Sequence, residues 1–318
     1  MTVNGRPQAP LMTNTQADRV KEVARLAGRP SRLRRREFLA EGPQAVREAL
    51  RLHLGRHAAG QDGVVVDVYA TADALERHGD IADLTGQDGA PAVRLVTADV
   101  LAAISSTVTP QGFVAVCRFV DVPLAEVLSA APRLVAVLVE VRDPGNAGTI
   151  IRAADSAGAD AVILTGASVD PYNPKTVRST VGSLFHLPLV LGVDLEELLG
   201  GLRDAGMTVL AADGYGSTSL DDLQDASARR RFATVGTAQG PARDEAPSRT
   251  DAADDSRVRL EDAGAWLFGN EAQGLPPAAT AAADARVAVP IYGSAESLNV
   301  GTAATVCLYA SARAQRLR

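Results

Sequence analysis

Cysteine, histidine and long apolar runs are all scarce in this chain of 318 residues. Its two cysteines, Cys117 and Cys307, lie far apart, each inside an apolar stretch (VAVCRF and ATVCLYA). They read as buried free thiols of a reducing compartment rather than a disulfide framework, so a cytoplasmic protein is expected. Four scattered histidines add no ligand cluster, and no metal is expected. No run approaches the ~18 apolar residues of a membrane span. The opening MTVNGRPQAPLMTNTQAD has no apolar core of the kind a secretory signal needs. Nucleotide-binding signatures are missing too. Gly214-Tyr215-Gly216 follows an apolar run, but the third glycine of a dinucleotide fingerprint would fall on Ser219. Asp143 to Gly148 has the wrong glycine spacing, and no Walker sequence occurs. A Rossmann dehydrogenase and a P-loop NTPase are both disfavoured.

What is present is a core-sized hydrophobic content of 46% and an uneven charge. Residues 1–60 carry twelve Lys/Arg against five Asp/Glu, although the whole chain has net charge −6. A basic end on an acidic chain points to a polyanionic partner, with a solvated helix face as the plain alternative. Arg34, Arg35 and Arg36 form the densest part of that end, next to Arg32.

About two domains are expected at this length. Residues 1–15 read as disordered. A compact αβ module follows over 16–120, with Gly28-Arg29-Pro30 ending its first helix and Pro43 opening a later one. Residues 121–132 read as a linker. From Arg133 near-continuous apolar runs (LVAVLV, DAVILT) alternate with helical stretches, as in βαβ units with a parallel sheet. Residues 237–262, rich in Pro, Ala, Asp and Ser, have little to bury and read as a disordered insertion.

Two further apolar runs, Trp266-Leu267-Phe268 and Val287-Ala288-Val289, stop at Gly269 and Pro290 and lead into polar residues. Ligands of open α/β sheets bind beyond the carboxyl ends of strands, so these loops sit where a site belongs. Taken singly, Asn146 reads equally as a helix N-cap, Glu271 as a loop carboxylate, and Ser297 and Asn299 as turn residues. Together they fall at strand ends of one predicted sheet.

These residues carry a resemblance. Asn146-x-Gly148-x-x-x-Arg152, Gly269-x-Glu271-x-x-Gly274-Leu275 and Pro290-Ile291-x-Gly293-x-x-x-Ser297-Leu298-Asn299-Val300 resemble, in order, the three signature motifs of the SpoU (TrmH-like) 2′-O-ribose RNA methyltransferases of the SPOUT superfamily. The stretch from Asn173 to Phe185 is similar to a family segment as well. Residues 16–120, with FLAEGPQAV and TPQGFVAV, resemble the small L30e-like substrate-binding domain of many members.

The resemblance implies an α/β fold with a C-terminal trefoil knot over 133–318, behind the L30e-like module. It implies S-adenosylmethionine as cofactor, held by Gly269, Val289, Ile291, Leu298 and Ala212. It places Arg152 beside the reacting 2′-OH as a base or an orienting cation, with Asn146, Glu271, Ser297 and Asn299 around it. Lys175, Arg178, Arg34, Arg35 and Arg36 become candidate RNA contacts. Structured RNA is the implied substrate, ribosomal (23S) ahead of transfer RNA, acted on by a homodimer. The other class of reading is a non-catalytic RNA-binding protein that keeps the fold. Gly301 departs from the Ser or Ala of many members, which predicts a loosened start to the last helix.

Overall fold

A computed structural model describes residues 2–3, 6–7, 10–236 and 258–316. The chain divides into two compact units. The first holds residues 1–121 together with 147–152 and 169–186; the second holds 122–146, 153–168 and 187–318.

In the first unit, β1 (Glu37–Glu41), β2 (Val65–Ala70), β3 (Val93–Leu95) and β4 (Phe113–Arg118) form a sheet in the order β1-β4-β2-β3. Only β2 and β3 run parallel. Leu39, Tyr69, Val114 and Val116 bury one sheet face against Val20, Val100 and Ile104 of flanking helices. Helix α1 (Arg29–Arg35) begins where the sequence suggested a break: Pro30 sits in its first turn, where a missing N–H costs nothing. Helix α2 (Pro43–Ala58) opens on Pro43 as expected. Residues 10–15 are not loose, since the Met12 N–H donates to the Leu95 carbonyl (2.9 Å) and its carbonyl accepts from Thr97 (3.1 Å).

The second unit begins with what read as a linker. Leu124–Ser129 is a helix there, with Val127 buried in the unit's core. Its sheet comprises β5 (Leu134–Leu138), β6 (Ala161–Thr165), β7 (Leu189–Val193), β8 (Thr208–Ala212), β9 (Thr218–Ser219), β10 (Gly264–Phe268) and β11 (Ala285–Ala288). The order is β9-β11-β8-β10-β5-β6-β7, and every pairing is parallel. All five residues of β5, β6 and β10 are buried, which is why these strands appear in sequence as unbroken apolar runs.

Helix α3 (Pro144–Ala157) follows β5, and α4 (Pro174–Thr180) follows β6. Helix α5 (Leu220–Gly236) was not anticipated: its Asp- and Arg-rich sequence hides the apolar face on which Leu220 and Leu223 are buried. Helix α6 (Val300–Arg316) closes the fold, and the Trp266 indole N–H donates to Ser311 Oγ at 2.9 Å in the core. Of the expected insertion, residues 237–257 lie outside the described residues. Residues 258–262 are packed, with Leu260 buried and Glu261 paired to Arg230 (2.9 Å). Both thiols are buried and free; burial pushes Cys307 up to about 12 and raises Cys117 as well. Neither is a nucleophile at neutral pH.

Candidate functional site

The carboxyl ends of the second unit's strands gather the polar residues that the motifs picked out. Helix α3 starts just beyond β5. Its N-cap is Asp143, whose Oδ1 accepts the Asn146 N–H at 2.8 Å, so the capping role is taken and the Asn146 side chain is released from it. That amide makes two bonds instead. Asn146 Nδ2 donates to Glu271 Oε1 (2.7 Å), and Asn146 Oδ1 accepts from Asn299 Nδ2 (2.9 Å). Asn299 in turn caps α6: its Oδ1 accepts the N–H groups of Gly301 (2.9 Å) and Thr302 (3.4 Å). Three segments distant in sequence are thus joined by one relay, Glu271–Asn146–Asn299, ending on a helix N-terminus. The start of α6 is held by this cap, so Gly301 does not loosen it.

The turn bearing Glu271 is rigid for local reasons. Asn270 and Gly274 exchange backbone hydrogen bonds (3.0 and 2.8 Å), and Asn270 Oδ1 accepts from Ala272 and Gln273. A Cβ on Gly269 would lie 2.4–2.6 Å from the backbone of Gly274 and Leu275. Closure of its own turn therefore requires this glycine. Asn270 Nδ2 also donates to the Glu140 carbonyl (3.1 Å). Glu140 stands at the end of β5 with φ +56, a left-handed conformation costly for a residue with a Cβ. Neither Asp143 nor Glu140 was singled out from sequence. The Asp-Pro pair at the head of a helix is a readable cap signal, whereas the backbone conformation of Glu140 left no trace.

Ala212, Gly269 and Val289 fall at the carboxyl ends of β8, β10 and β11, three adjacent strands. Beyond them, residues 291–299 carry no helix or strand and every one is exposed. Ile291 and Leu298 remain 39% and 38% exposed there. Ser297 lies in the same loop without a hydrogen bond among the described residues. Arg152 is in α3, exposed, and makes no hydrogen bond or ion pair among the described residues.

The expected RNA contacts fare unevenly. All lie in the first unit. Arg32 is buried and consumed, donating to Asp170 (2.8 and 3.1 Å) and to the carbonyls of Leu26 and Ala27. Arg35 pairs with Glu37 (2.6 Å); Arg36 pairs with Asp121 (3.0 Å) and lies 4.7 Å from the Phe119 ring centroid. Arg34 is exposed, as is Lys175. Arg178 of α4 donates to Ser106 Oγ (2.5 Å) and stands 3.5 Å from Glu41. Helix α4 passes so close to α3 that a Cβ on Gly148 would lie 2.3 Å from Ser179 Cβ, which accounts for the glycine of the first motif.

Comparison with known proteins agrees with this layout. Residues 133–309 match the model of the SpoU rRNA Methylase family, and residues 17–115 match the MRM3-like substrate binding domain. The chain is 31% identical over 92% of its length, and 94% of the other's, to the 23S rRNA (guanosine(2553)-2′-O)-methyltransferase RlmP of Bacillus subtilis. It is similar to the crystal structure of an AdoMet-bound rRNA methyltransferase from Sinorhizobium meliloti (TM-score 0.70, 27% identity, 96% of this chain and 97% of that one). It is also similar to the SpoU methyltransferase AviRb of Streptomyces viridochromogenes in complex with AdoMet (TM-score 0.69, 25% identity, 94% and 98%).

Proposed function

The chain belongs to the SpoU rRNA methylase family, and from that premise we propose that it transfers a methyl group from S-adenosylmethionine to a ribose 2′-OH of ribosomal RNA. The observation that carries this reading is the Glu271–Asn146–Asn299 relay, which joins the residues of all three motifs at one sheet edge. The large-subunit (23S) RNA is preferred to transfer RNA as substrate, because relatives that align along most of the chain bear that name.

The residues present fit the cofactor. An exposed loop with Ile291 and Leu298 facing water, next to the ends of three parallel strands, suits a ligand with an apolar face and polar edges. Gly269, Val289, Ile291, Leu298 and Ala212 would hold it, and S-adenosylmethionine supplies an electrophilic sulfonium methyl when bound. The protein's own part is positioning, since aligning two reactants contributes up to about 7–11 kcal/mol. Arg152 would orient the 2′-OH and its neighbouring phosphate with a permanent cation, favouring loss of the hydroxyl proton to phosphate or water as the ribose oxygen takes the methyl and the sulfonium is released as a neutral thioether. A guanidinium carries only donors and holds its proton tightly, so orientation rather than direct base catalysis is the assigned role. Asn146 and Glu271 hold the ribose side of the site, while Asn299 fixes the start of α6 and Ser297, in the loop before it, shapes the pocket.

The reading extends to the family's architecture: a trefoil knot in the C-terminal unit, an L30e-like substrate domain ahead of it, a homodimer and a cytoplasmic location. The strand order supports the knot, because β10 inserts between β8 and β5 although β8 precedes it and β11 follows. Arg34, Lys175 and Arg178 are proposed RNA contacts, and the ion-paired Arg35 and Arg36 remain lesser ones.

The test is to incubate the chain with S-adenosylmethionine and a 23S rRNA transcript, then map 2′-O-methylation at nucleotide resolution. One new methylated ribose is expected. Calorimetric cofactor binding without any new 2′-O-methyl group on 23S or transfer RNA would overturn the enzyme reading.

A further inference from the structure

The first unit contains a second built feature that the relay does not use. Glu41, the last residue of β1, is buried, yet its carboxylate is fully engaged. Ser105 Oγ and Ser106 Oγ each donate to it at 2.6 Å, and the Ser106 N–H adds bonds of 3.1 and 3.2 Å. Arg178 closes the network by donating to Ser106 Oγ (2.5 Å). Ser105 Oγ also accepts from the Thr107 N–H (3.2 Å) and lies 3.0 Å from its hydroxyl. Burying a carboxylate is expensive, and here the return is a loop, residues 105–111, stitched to the sheet and to α4.

That loop walls a cleft of about 260 Å³, lined among others by Glu41, Ser105, Thr107, Thr109, Gln111 and Arg178. The volume falls short of the roughly 300–1,000 Å³ of cofactor and drug-sized sites, and suits a single heterocycle. Gln111 is exposed, and its amide makes no hydrogen bond among the described residues. Its Oε1 would lie 2.9 Å from a Cβ on Gly42, whose φ of +90 independently requires glycine. The backbone has been cleared for the Gln111 side chain. At the loop's tip Val108 is 99% exposed, an apolar surface with no partner in its own fold.

We infer that this cleft binds one unpaired nucleobase of the RNA substrate. Gln111 reads the base edge through its amide, Val108 packs on the face of a neighbouring base, and Arg178 faces the adjoining phosphate. A carboxamide matches the paired donor and acceptor of a base edge, and splayed-out bases are the usual target of sequence-specific RNA contacts. A guanidinium anchored on one side keeps donors free for phosphate on the other. The inference deepens the proposed function and rests on RNA being the substrate.

The experiment uses the full chain and a 23S rRNA transcript. Gln111→Ala should weaken binding about tenfold, with an unchanged salt slope, because no charge is removed. The transferase KM for RNA should rise in step while kcat and cofactor affinity stay put. A photoreactive phenylalanine analogue at position 108 should crosslink to an unpaired nucleotide. Unchanged affinity of Gln111→Ala, or crosslinks confined to duplex, overturns the inference. A chain that never methylates, but whose RNA affinity still falls with Gln111→Ala, upholds the cleft while sinking the enzyme reading.

Discussion

Each unit is organised around a glutamate at the end of a strand, and the two glutamates are treated in opposite ways. Glu41 of the first unit is buried and surrounded by hydroxyl and backbone donors, leaving no lone pair for a ligand. Glu271 of the second is exposed and accepts a single side-chain hydrogen bond among the described residues, from Asn146 Nδ2. A carboxylate that is fully satisfied contributes rigidity. One that is oriented but only partly satisfied remains available to a substrate. The same contrast runs through the cations: Arg32 is spent on Asp170 and two carbonyls, whereas Arg152 has no partner among the described residues. Exposed, oriented charge costs stability unless a ligand uses it, and Glu271 stands just beyond the carboxyl end of β10 in the parallel sheet.

Substitutions can break that comparison, beginning with the largest effect. Arg152→Ala should lower kcat by about 10²–10³-fold, the usual cost of removing one preorganised stabilising donor, with cofactor affinity by calorimetry unchanged. Near-normal turnover would remove Arg152 from the reaction. Glu41→Ala should act on stability instead. It strands Ser105, Ser106 and Arg178, and a loss of about 3 kcal/mol is expected in urea unfolding, with kcat of the folded fraction preserved. A stable Glu41→Ala protein with reduced kcat would mean that the two glutamates had been assigned the wrong way round. Asn146→Ala cuts the relay at its centre, where two side-chain hydrogen bonds meet. Each is worth about 0.5–1.5 kcal/mol, so turnover should fall about thirtyfold, while α3 keeps its Asp143 cap and the melting temperature barely moves.

How much of this could be read in advance depends on whether the cause is local. The strands β5, β6 and β10 are buried on both faces, so their apolar runs and the glycine and proline breaks after them are visible in the one-dimensional sequence. Motif residues at those breaks were therefore visible as a site. Arg32 was not visible as a core residue, because its partner Asp170 lies 138 positions away and five arginines in a stretch resemble a surface patch. The relay is invisible for the same reason: Asn146 is 125 residues from Glu271 and 153 from Asn299. Pro30 misled in the other direction. Proline breaks a helix interior but is accommodated in a first turn, and only the following residues, Ser31 to Arg35, decide between the two. Glu41 looked like an ordinary strand end, since nothing marks a carboxylate as buried until the Ser105-Ser106 pair is folded over it.

The smallest expected effect sharpens the comparison most. Asn299 does two things with one amide: its oxygen caps α6, and its nitrogen donates to Asn146. Asn299→Asp keeps an acceptor for the Gly301 and Thr302 N–H groups, and a carboxylate at a helix N-terminus is favourable. It loses the donor and sets a carboxylate against Asn146 Oδ1, which must then turn its amide and release Glu271. The cap should hold, leaving unfolding free energy within about 0.5 kcal/mol of the parent. Turnover should nonetheless drop about tenfold, as an unconstrained Glu271 samples other rotamers. Asn299→Ser, which caps α6 without reaching Asn146, should give the same pairing of intact stability with reduced turnover. Should both variants lose stability and keep their turnover, the Asn299 amide serves the helix and not the site, and the exposed end of the relay is structural like the buried one.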